Sequence, residues 1–197
     1  MPIGANGLDP AVVKAIESRT CGYDAFTKLD SFDIYLHSVG TDGAAYIFGA
    51  GHCGEKLAPV LATVGFGVTI IDDRAEFANT GRFPEADDII VPKKMDAPFN
   101  DINFSGDSYI VIVTRGHAHD EIVLRGALRT KAGYIGMIGS RKKREAIYEH
   151  LLADGFTQND IERVFSPIGI NISAETPEEI AISIAAEMIR VRAERRA

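Results

Sequence analysis

The sequence predicts an α/β fold in which helices cover both faces of a doubly wound, Rossmann-like parallel sheet. From residue 44 onward, apolar runs of strand length alternate with helical patterns, which is typical of parallel sheets with right-handed crossovers. The first apolar run ends in the spacing G-x-G-x-x-G, formed by Gly49, Gly51 and Gly54, and the second ends at Asp72. These observations predict the strand order 3-2-1-4-5, with a nucleotide-binding turn after the first strand.

Residues 1–43 are expected to form a lead-in segment with short helical and extended parts, and residues 44–197 the Rossmann-type domain. In the lead-in segment, Asp9 and Pro10 predict the start of a helix, because an N-cap aspartate is followed by proline at the first helical position. The loose alternation of apolar residues from Phe32 to Val39 predicts a short strand.

In the larger domain, the pattern of apolar residues and the capping residues define the elements. Ser108–Thr114 is almost continuously apolar, as expected of a central parallel strand that is buried on both faces. Thr176, Pro177 and Glu179 predict the start of the final helix, because they combine a capping box with proline at the first helical position. The predicted strands are Ala45–Phe48, Val68–Ile71, Asp88–Val91, Ser108–Thr114 and Tyr134–Ile138, and the predicted helices are His52–Val64, Asp120–Arg129, Arg141–Leu152, Thr157–Arg163 and one from Thr176 towards Arg192.

The composition argues against several classes of function. The chain has 197 residues and a formal net charge of −7, and an acidic surface disfavours binding to nucleic acid or to a membrane surface. No apolar stretch approaches about eighteen residues, and no basic segment followed by an apolar run opens the chain, so neither a membrane span nor a signal peptide is expected. The two cysteines, Cys21 and Cys53, form no disulfide framework. We therefore expect a cytoplasmic protein.

A homodimer is expected, because most soluble oligomers of this size are symmetric dimers. The lead-in segment and the long final helix are the candidate contacts. In the helix, the candidate residues are Ile180, Ile184, Met188 and Val191, which recur on one side.

Each glycine of the turn has a distinct physical task. Gly49 permits the sharp exit from the strand, Gly51 leaves room for a pyrophosphate beside the backbone, and Gly54 lets the helix pack close to the sheet. The free N–H groups at the start of the helix then face the phosphates. His52 lies inside this turn, and Cys53 follows it at the helix N-terminus, where a thiol pKa can be lowered enough to make the thiol reactive.

Three further loops should meet this turn, because ligands of such sheets bind beyond the carboxyl ends of the strands. In the first of them, Asp72 is expected to bind the hydroxyl pair of a ribose and to favour NAD over NADP, since a 2′-phosphate beside it would be repelled. Asp73 and Arg74 follow directly. Arg74 could stack on an adenine, reach a 2′-phosphate, or pair with Asp73.

The next loop carries the sequence Thr-Arg-Gly-His-Ala-His-Asp, residues 114–120. Residues i and i+2 of a helix face apart, so His117 and His119 could share a metal ion only if the segment were a loop. The preferred interpretation is that His117 or Asp120 caps the following helix while Thr114 and Arg115 face the ligand.

In the last loop, Ser140 and Arg141 begin a helix after Gly139 and can bind an anion, or Ser140 can act as a helix cap. Two later segments, Ser166–Gly169 and Ile172–Thr176, could close over the same cleft or could serve packing alone. No catalytic or metal-binding residue is assigned. The candidate cofactor-binding residues are Gly49, Gly51, His52, Gly54, Asp72, Asp73, Arg74, Thr114, Arg115, Gly116, His117, Gly139, Ser140 and Arg141.

Seven ordered blocks resemble the C-terminal Rossmann domain of the XdhC/CoxI family, the xanthine dehydrogenase accessory proteins. The resemblance covers roughly residues 45–190 and is far more specific than the glycine spacing alone. The blocks are Phe48–His52, Val68–Arg74, Arg82–Pro84, Thr114–Asp120, Gly136–Arg141, Ser166–Gly169 and Ala174–Ala181.

The resemblance implies an accessory role in the maturation of molybdenum hydroxylases such as xanthine dehydrogenase. Family members bind molybdenum cofactor, support its sulfuration and help to insert it, so the resemblance implies a molybdopterin-type cofactor beside the NAD(P) that the glycine turn predicts, and the implied partner is the client enzyme. The family pattern also has an N-terminal domain with its own glycine- and cysteine-bearing motifs. Residues 1–43 are too short for that domain and show no such motif around Cys21, so we expect a stand-alone Rossmann subunit or a divergent member.

Two alternatives to the accessory role stay open at the level of sequence. One is an NAD(P)-dependent oxidoreductase, although the chain has little room for a substrate domain after residue 140. The other is a regulatory module that senses a nucleotide. The accessory role is preferred because the family resemblance implies it and because the sequence shows no Ser-x-x-x-Tyr-x-x-x-Lys catalytic set.

Overall fold

The computed structural model describes residues 25–29, 32–36 and 43–195. The helix predicted from Asp9 lies outside the described residues. Strands β1 (Ala25–Leu29) and β2 (Phe32–Leu36) pair antiparallel, with Leu29 opposite Phe32, so the strand predicted from Phe32 is confirmed as far as Leu36. The chain divides into two compact units between Asp42 and Gly43, and this hairpin belongs to the first.

Six parallel strands form the sheet of the second unit. Their spatial order is β5-β4-β3-β6-β7-β8, which is 3-2-1-4-5-6 when counted from β3. The Rossmann-like fold and the order of its first five strands are therefore confirmed, while the two-residue sixth strand is too short to be recognised from its sequence. The strands are β3 (Ala44–Phe48), β4 (Gly67–Ile71), β5 (Asp88–Ile90), β6 (Ser108–Ile112), β7 (Tyr134–Met137) and β8 (Val164–Phe165).

Six helices are described, and their start points agree with most of the predicted caps. Thr157 and Thr176 both form capping boxes, and Ser140 caps the helix that it precedes. The exception is α3, which begins at His117 rather than at Asp120. The helices are α1 (His52–Thr63), α2 (Pro98–Asp101), α3 (His117–Leu128), α4 (Arg141–Ala153), α5 (Gln158–Glu162) and α6 (Pro177–Glu194). In the part of the chain that the structure describes, no helix is long and apolar enough to span a bilayer.

The central strand β6 shows how both faces of the sheet are covered. All five of its residues are buried. Tyr109 and Val111 belong to the hydrophobic cluster that contains residues of α1 and α6, and Ile110 and Ile112 belong to the cluster that contains residues of α3 and α4. Because successive side chains of a strand point to opposite faces, helices pack on both sides of the sheet.

The apolar side of α6 is used within the domain. Ile184 and Met188 are fully buried, Val191 is 6% exposed, and Ile180 packs against the same cluster. The prediction that these four residues form a dimer contact is therefore wrong, because they pack on α1 and the sheet instead.

A buried hydrogen-bond network ties α6 to the sheet. The Tyr134 hydroxyl donates to Glu187 Oε1 at 2.7 Å, and the backbone N–H of Gly169 donates to the same oxygen at 2.9 Å. Glu187 is only 5% exposed. Burial, together with the negative charge of Glu187, raises the pKa of Tyr134 well above its usual value, so this hydroxyl remains a hydrogen-bond donor.

Replacing Glu187 by alanine should destabilise the domain. The substitution leaves the buried Tyr134 hydroxyl and the partly buried Gly169 N–H without their acceptor, so we expect the free energy of unfolding in urea to fall by about 2–4 kcal/mol. Glu194→Ala, in the exposed last turn of the same helix, is the matched control and should change it little. Equal effects of the two substitutions would show that the buried network does not stabilise the fold.

Candidate functional site

The glycine turn after β3 is shaped by two close backbone contacts. Gly49 has φ +124°, and a Cβ placed on it would lie 2.3 Å from the carbonyl oxygen of Val113. A Cβ on Gly54 would lie 2.1 Å from the carbonyl oxygen of Gly49. Gly51 differs from both, because a Cβ there would meet no atom within 4 Å. The space above Gly51 is therefore open, as a bound phosphate requires.

The peptide groups of Ala50 are held from two sides. Its N–H donates to Asp72 Oδ2 at 2.9 Å, and its carbonyl accepts from the Arg82 guanidinium at 3.0 Å. Arg82 also pairs with Glu55 in the first turn of α1. Hydrogen bonds of the Ala50 backbone with Asp72 and Arg82 therefore fix the conformation of the turn without a ligand. Arg82 was recognised only as part of a family block, because nothing local in the sequence connects it to the turn.

The carboxylate of Asp72 points into the protein. Asp72 is 3% exposed, and Arg74 donates to its two oxygens through Nε and Nη2, both at 2.9 Å. The Arg74 guanidinium also lies 3.8 Å from the ring centroid of Phe77. Arg74 thus pairs with Asp72 rather than with Asp73, and a ribose could reach the Asp72 carboxylate only by displacing this arginine.

Hydrogen bonding keeps Asp72 ionised despite its burial. Burial alone would raise the pKa of this carboxyl, but the hydrogen bonds from the Arg74 side chain and from the Ala50 and Arg74 backbone more than offset that effect and lower the pKa below its usual value. Asp72 and Arg74 therefore act as a charged pair that supports the glycine turn.

The neighbouring acid, Asp73, faces the next loop of the site. Its Oδ2 accepts from the Arg115 guanidinium at 2.9 Å, and His119 Nε2 lies 3.8 Å from the same oxygen. The Arg115 and Asp73 side chains are 44% and 24% exposed. The structure thus brings two of the predicted loops together in a partly exposed ion pair.

Asp120 of α3 connects its helix to the loop after β6 and to α4. It is fully buried, and it accepts hydrogen bonds from the backbone N–H of Thr114 at 3.2 Å and from its hydroxyl at 2.5 Å. Lys143 of α4 completes its partners. The prediction that His117 or Asp120 caps α3 is wrong, because the N-cap is Gly116, whose φ of +146° suits glycine. Lys143 was missed by sequence reasoning, since it lies far along the chain from Asp120.

Histidines of this segment do not meet the condition for a shared metal ion. That condition was a loop at this segment, and the backbone from His117 to His119 instead belongs to the first turn of α3. Among the residues whose side chains the structure describes, no group of three His, Cys, Asp or Glu residues could hold a metal ion.

The remaining candidate residues surround the site less closely. Ser140 accepts from the backbone N–H of Lys143 at 3.3 Å, so the helix-cap interpretation is confirmed. Arg141, in the first turn of α4, pairs with Glu145 on the surface of the helix. His52 is exposed. Burial raises the pKa of Cys53, which is the opposite of the activation that its place at a helix start suggested.

An open cleft lies at the carboxyl ends of β7 and β8. It has a volume of about 660 Å³, and its lining includes Ile138, Ser140, Ile168 and Ile172. Ser173, also in the lining, has φ +57°, which is uncommon for a residue other than glycine. Two late segments, Ser166–Gly169 and Ile172–Thr176, were expected either to close over the nucleotide cleft or to serve packing, and residues of both line this cleft instead.

Asp72 gives the stability of the domain a defined pH dependence. Asp72→Asn should lower the free energy of unfolding by about 1–3 kcal/mol at neutral pH, because the buried hydrogen bonds lose their charge. A carboxylate whose pKa is lowered by folding stabilises the fold above its unfolded pKa of about 3.9, and this contribution is lost as the pH falls through the lower folded pKa.

Urea titrations of wild type and Asp72→Asn should therefore differ by a constant amount between about pH 7 and about pH 5, and the difference should shrink below about pH 4. Asp101→Asn, at an exposed acid of α2, is the control and should match wild type throughout. A difference that did not change on acidification would contradict the role of the ionised carboxylate.

Comparison with known proteins supports the resemblance seen in the sequence. Residues 45–188 match the family model of the XdhC Rossmann domain. The chain is 30% identical over 162 residues to a probable xanthine dehydrogenase subunit of Bacillus subtilis (strain 168), a match that covers 81% of this chain and 46% of that protein. It is 27% identical over 162 residues to the uncharacterized protein YqeB of Escherichia coli (strain K12), covering 82% of this chain and 30% of that protein.

A solved structure has the same fold. The crystal structure of a xanthine dehydrogenase from Bacillus halodurans superposes with a TM-score of 0.71 at 30% identity, covering 86% of this chain and 51% of that chain. The chain thus spans between 30% and 51% of the length of these three proteins. Since the family model matches most of its length, the chain belongs to the XdhC family, and residues 45–188 are its XdhC Rossmann domain.

Proposed function

We propose that this chain binds a phosphate-bearing cofactor, NAD(P) or a molybdopterin-type cofactor, at the glycine turn and assists the insertion of molybdenum cofactor into a molybdenum hydroxylase of the xanthine dehydrogenase type. The single observation that carries the proposal is the open space above Gly51 in a domain of the XdhC family. The relative in Bacillus subtilis is named as a probable part of a xanthine dehydrogenase, which supports a client of that class. The proposed location is the cytoplasm.

The residues present fit a phosphate group. A Cβ on Gly51 or on Gly116 would meet no atom within 4 Å, so the backbone in front of α1 and the backbone in front of α3 are both accessible. The N–H groups at the starts of these helices carry partial positive charge and bind anions well. Arg115 adds a full positive charge beside them.

In this proposal the chain holds a ligand and does not transform it. A bound molybdenum cofactor would supply the redox chemistry of the client, whereas the residues of this site would orient its phosphate. The framework for that task is already in place, because the Asp72–Arg74 and Asp120–Lys143 pairs are formed by protein groups alone.

Two other functions compete with this proposal, and the ligand that co-purifies with the protein separates them. A retained pterin, identified by mass spectrometry and absorbance, would support the accessory role. Retained NAD(H) with steady turnover, lost in His117→Ala, would favour an NAD(P)-dependent oxidoreductase. Retained NAD(H) without turnover would favour a nucleotide-sensing regulatory module.

We also propose that the chain forms a homodimer, although the inward-facing residues of α6 cannot provide the contact. The same helix carries Ile182 and Ile189, which are 53% and 37% exposed. They are seven residues apart and therefore lie on the same side of the helix, so this side is the better candidate for a contact between copies.

Gly51→Val should abolish binding of NAD⁺ or of inorganic pyrophosphate and leave the domain folded. Gly51 has φ −77° and ψ −169°, a conformation that valine adopts readily, so the added side chain should occupy the open space without disturbing the turn. We expect the affinity measured by calorimetry to fall at least about tenfold, with a smaller loss for Gly51→Ala.

The control for this series is Ala193→Val, at an exposed position in the last turn of α6. It adds, away from the glycine turn, the two methyl groups by which Gly51→Val exceeds Gly51→Ala, and it should leave affinity unchanged. If Gly51→Val bound as tightly as wild type, the glycine turn would not be the phosphate site.

The accessory role itself is tested by reconstitution. Adding the purified chain, loaded with molybdenum cofactor, to a cofactor-poor molybdenum hydroxylase of the xanthine dehydrogenase type should raise the activity of that enzyme above the level reached with free cofactor. Gly51→Val should lose this effect, and Ala193→Val should keep it. No gain with wild type, either alone or with a partner bearing the N-terminal domain of the family, would contradict the accessory role.

A further inference from the structure

We propose that the ion pair between Asp73 and Arg115 is a gate beside the glycine turn: it leaves the turn open but holds Arg115, and a phosphate-bearing ligand opens the pair by taking Arg115 away from Asp73. This inference rests on the proposed function, because it assumes that the turn binds a phosphate. It adds the residue that receives the phosphate and the residue that competes with it.

The order of the strands places this pair across the turn. Asp73 follows β4 and Arg115 follows β6, and β3 lies between these two strands in the sheet. Neighbouring strands are about 4.8 Å apart, so the ends of β4 and β6 are separated by about 10 Å. A contact of 2.9 Å between the two side chains must therefore cross the end of β3, where the turn begins at Gly49.

The Asp73 carboxylate is contacted mainly by residues that follow β6 in the chain. Besides Arg115, His119 Nε2 lies 3.8 Å from the same carboxylate oxygen and adds positive charge when it is protonated. Arg74 is close enough to interact with Asp73 electrostatically, but its guanidinium is hydrogen-bonded to Asp72. Arg115 is thus the direct hydrogen-bond partner that the structure shows for the Asp73 side chain.

Among the three aspartates that form ion pairs at the site, Asp73 is the most exposed, so its pair is the easiest of theirs to open. The Asp72 and Asp120 side chains are 4% and 0% exposed, so their pairs belong to the interior. The Asp73 and Arg115 side chains are 24% and 44% exposed. Exposed pairs contribute little to stability, because water and salt compete for both charges.

A phosphate at the turn would be a stronger partner for Arg115 than Asp73 is. The guanidinium can bind two phosphate oxygens at once, and a phosphate in this position would also face the N–H groups at the starts of α1 and α3. Among the residues that the structure describes, no backbone N–H group donates to the Asp73 side chain. The ligand therefore competes with Asp73 for Arg115, and the cost of opening the pair lowers the apparent affinity of the closed protein.

The test is a double-mutant cycle on Asp73 and Arg115 in the full chain, with NAD⁺ and inorganic pyrophosphate as probes in calorimetry at low salt. Asp73→Asn should tighten binding of both probes by about two- to fivefold, because Arg115 is released. Arg115→Gln should weaken both at least about tenfold. In the Arg115→Gln background, Asp73→Asn should give no gain, because the gate is already absent.

The cycle separates a gate from a general effect of charge. Asp101→Asn changes the net charge of the chain by the same amount at an exposed acid of α2, and it should leave both affinities unchanged. If Asp73→Asn tightened binding equally with and without Arg115, the gain would be a simple charge effect and the gate would be overturned.

Two further outcomes would also overturn the gate. Weaker NAD⁺ binding with unchanged pyrophosphate binding in Asp73→Asn would make Asp73 a ribose ligand, and unchanged binding of both probes would show that the pair has no influence on the site. If neither wild type nor Asp73→Asn bound either probe while remaining folded, the phosphate site of the proposed function would fail and the gate with it. Failure of the gate alone is thus distinguishable from failure of the proposed function.

Discussion

The close approach of α1 to the end of β3 is the constraint on which the rest of the site depends. A Cβ on Gly54 would lie 2.1 Å from the carbonyl oxygen of Gly49, so the helix can start at this distance only with glycine in that position. The same approach fixes the direction of α1, whose apolar side chains then pack between the sheet and α6. Once the helix start is fixed, the side of the turn that stays open is the one at Gly51, which is where the proposed ligand would lie.

Charged groups near the turn are sorted by their access to water. Isolated charges are costly to bury, so buried ones need close partners. Asp72 with Arg74, and Asp120 with Lys143, satisfy this requirement and bind the loops after β4 and β6 to the framework. Asp73 and Arg115 reach the solvent and are not needed for that purpose. The buried pairs therefore support the loops of the site, whereas the exposed pair of Asp73 and Arg115 is free to exchange partners in the proposed gate.

Sequence patterns predicted the framework well and the direction of individual side chains poorly. The strands β3, β4 and β6 were recognised because their apolar runs are long, whereas the two residues of β8 carry no pattern. The glycine spacing located Asp72 but could not show that its carboxylate turns inward, because that depends on Arg74 and on the Phe77 ring beneath it. Arg82 and Lys143 are separated from the residues they bind by 32 and 23 positions, so only the fold brings them to the site.

The arrangement of charges suits binding better than proton transfer. A general acid or base must hold its proton loosely enough to exchange it with a ligand, yet the carboxylates of Asp72 and Asp120 are sealed from solvent and fully hydrogen-bonded within the protein. Their loss of charge would weaken the framework itself. Among the side chains that the structure describes, Arg115 is the best placed to contact an anion at the turn. His119 lies nearby, on the other side of the Asp73 carboxylate that Arg115 contacts. A guanidinium group offers hydrogen-bond donors and no acceptor, so it suits the binding of an anion. These charges fit the proposed function, in which the chain would capture a phosphate-bearing group and release it again to a second protein.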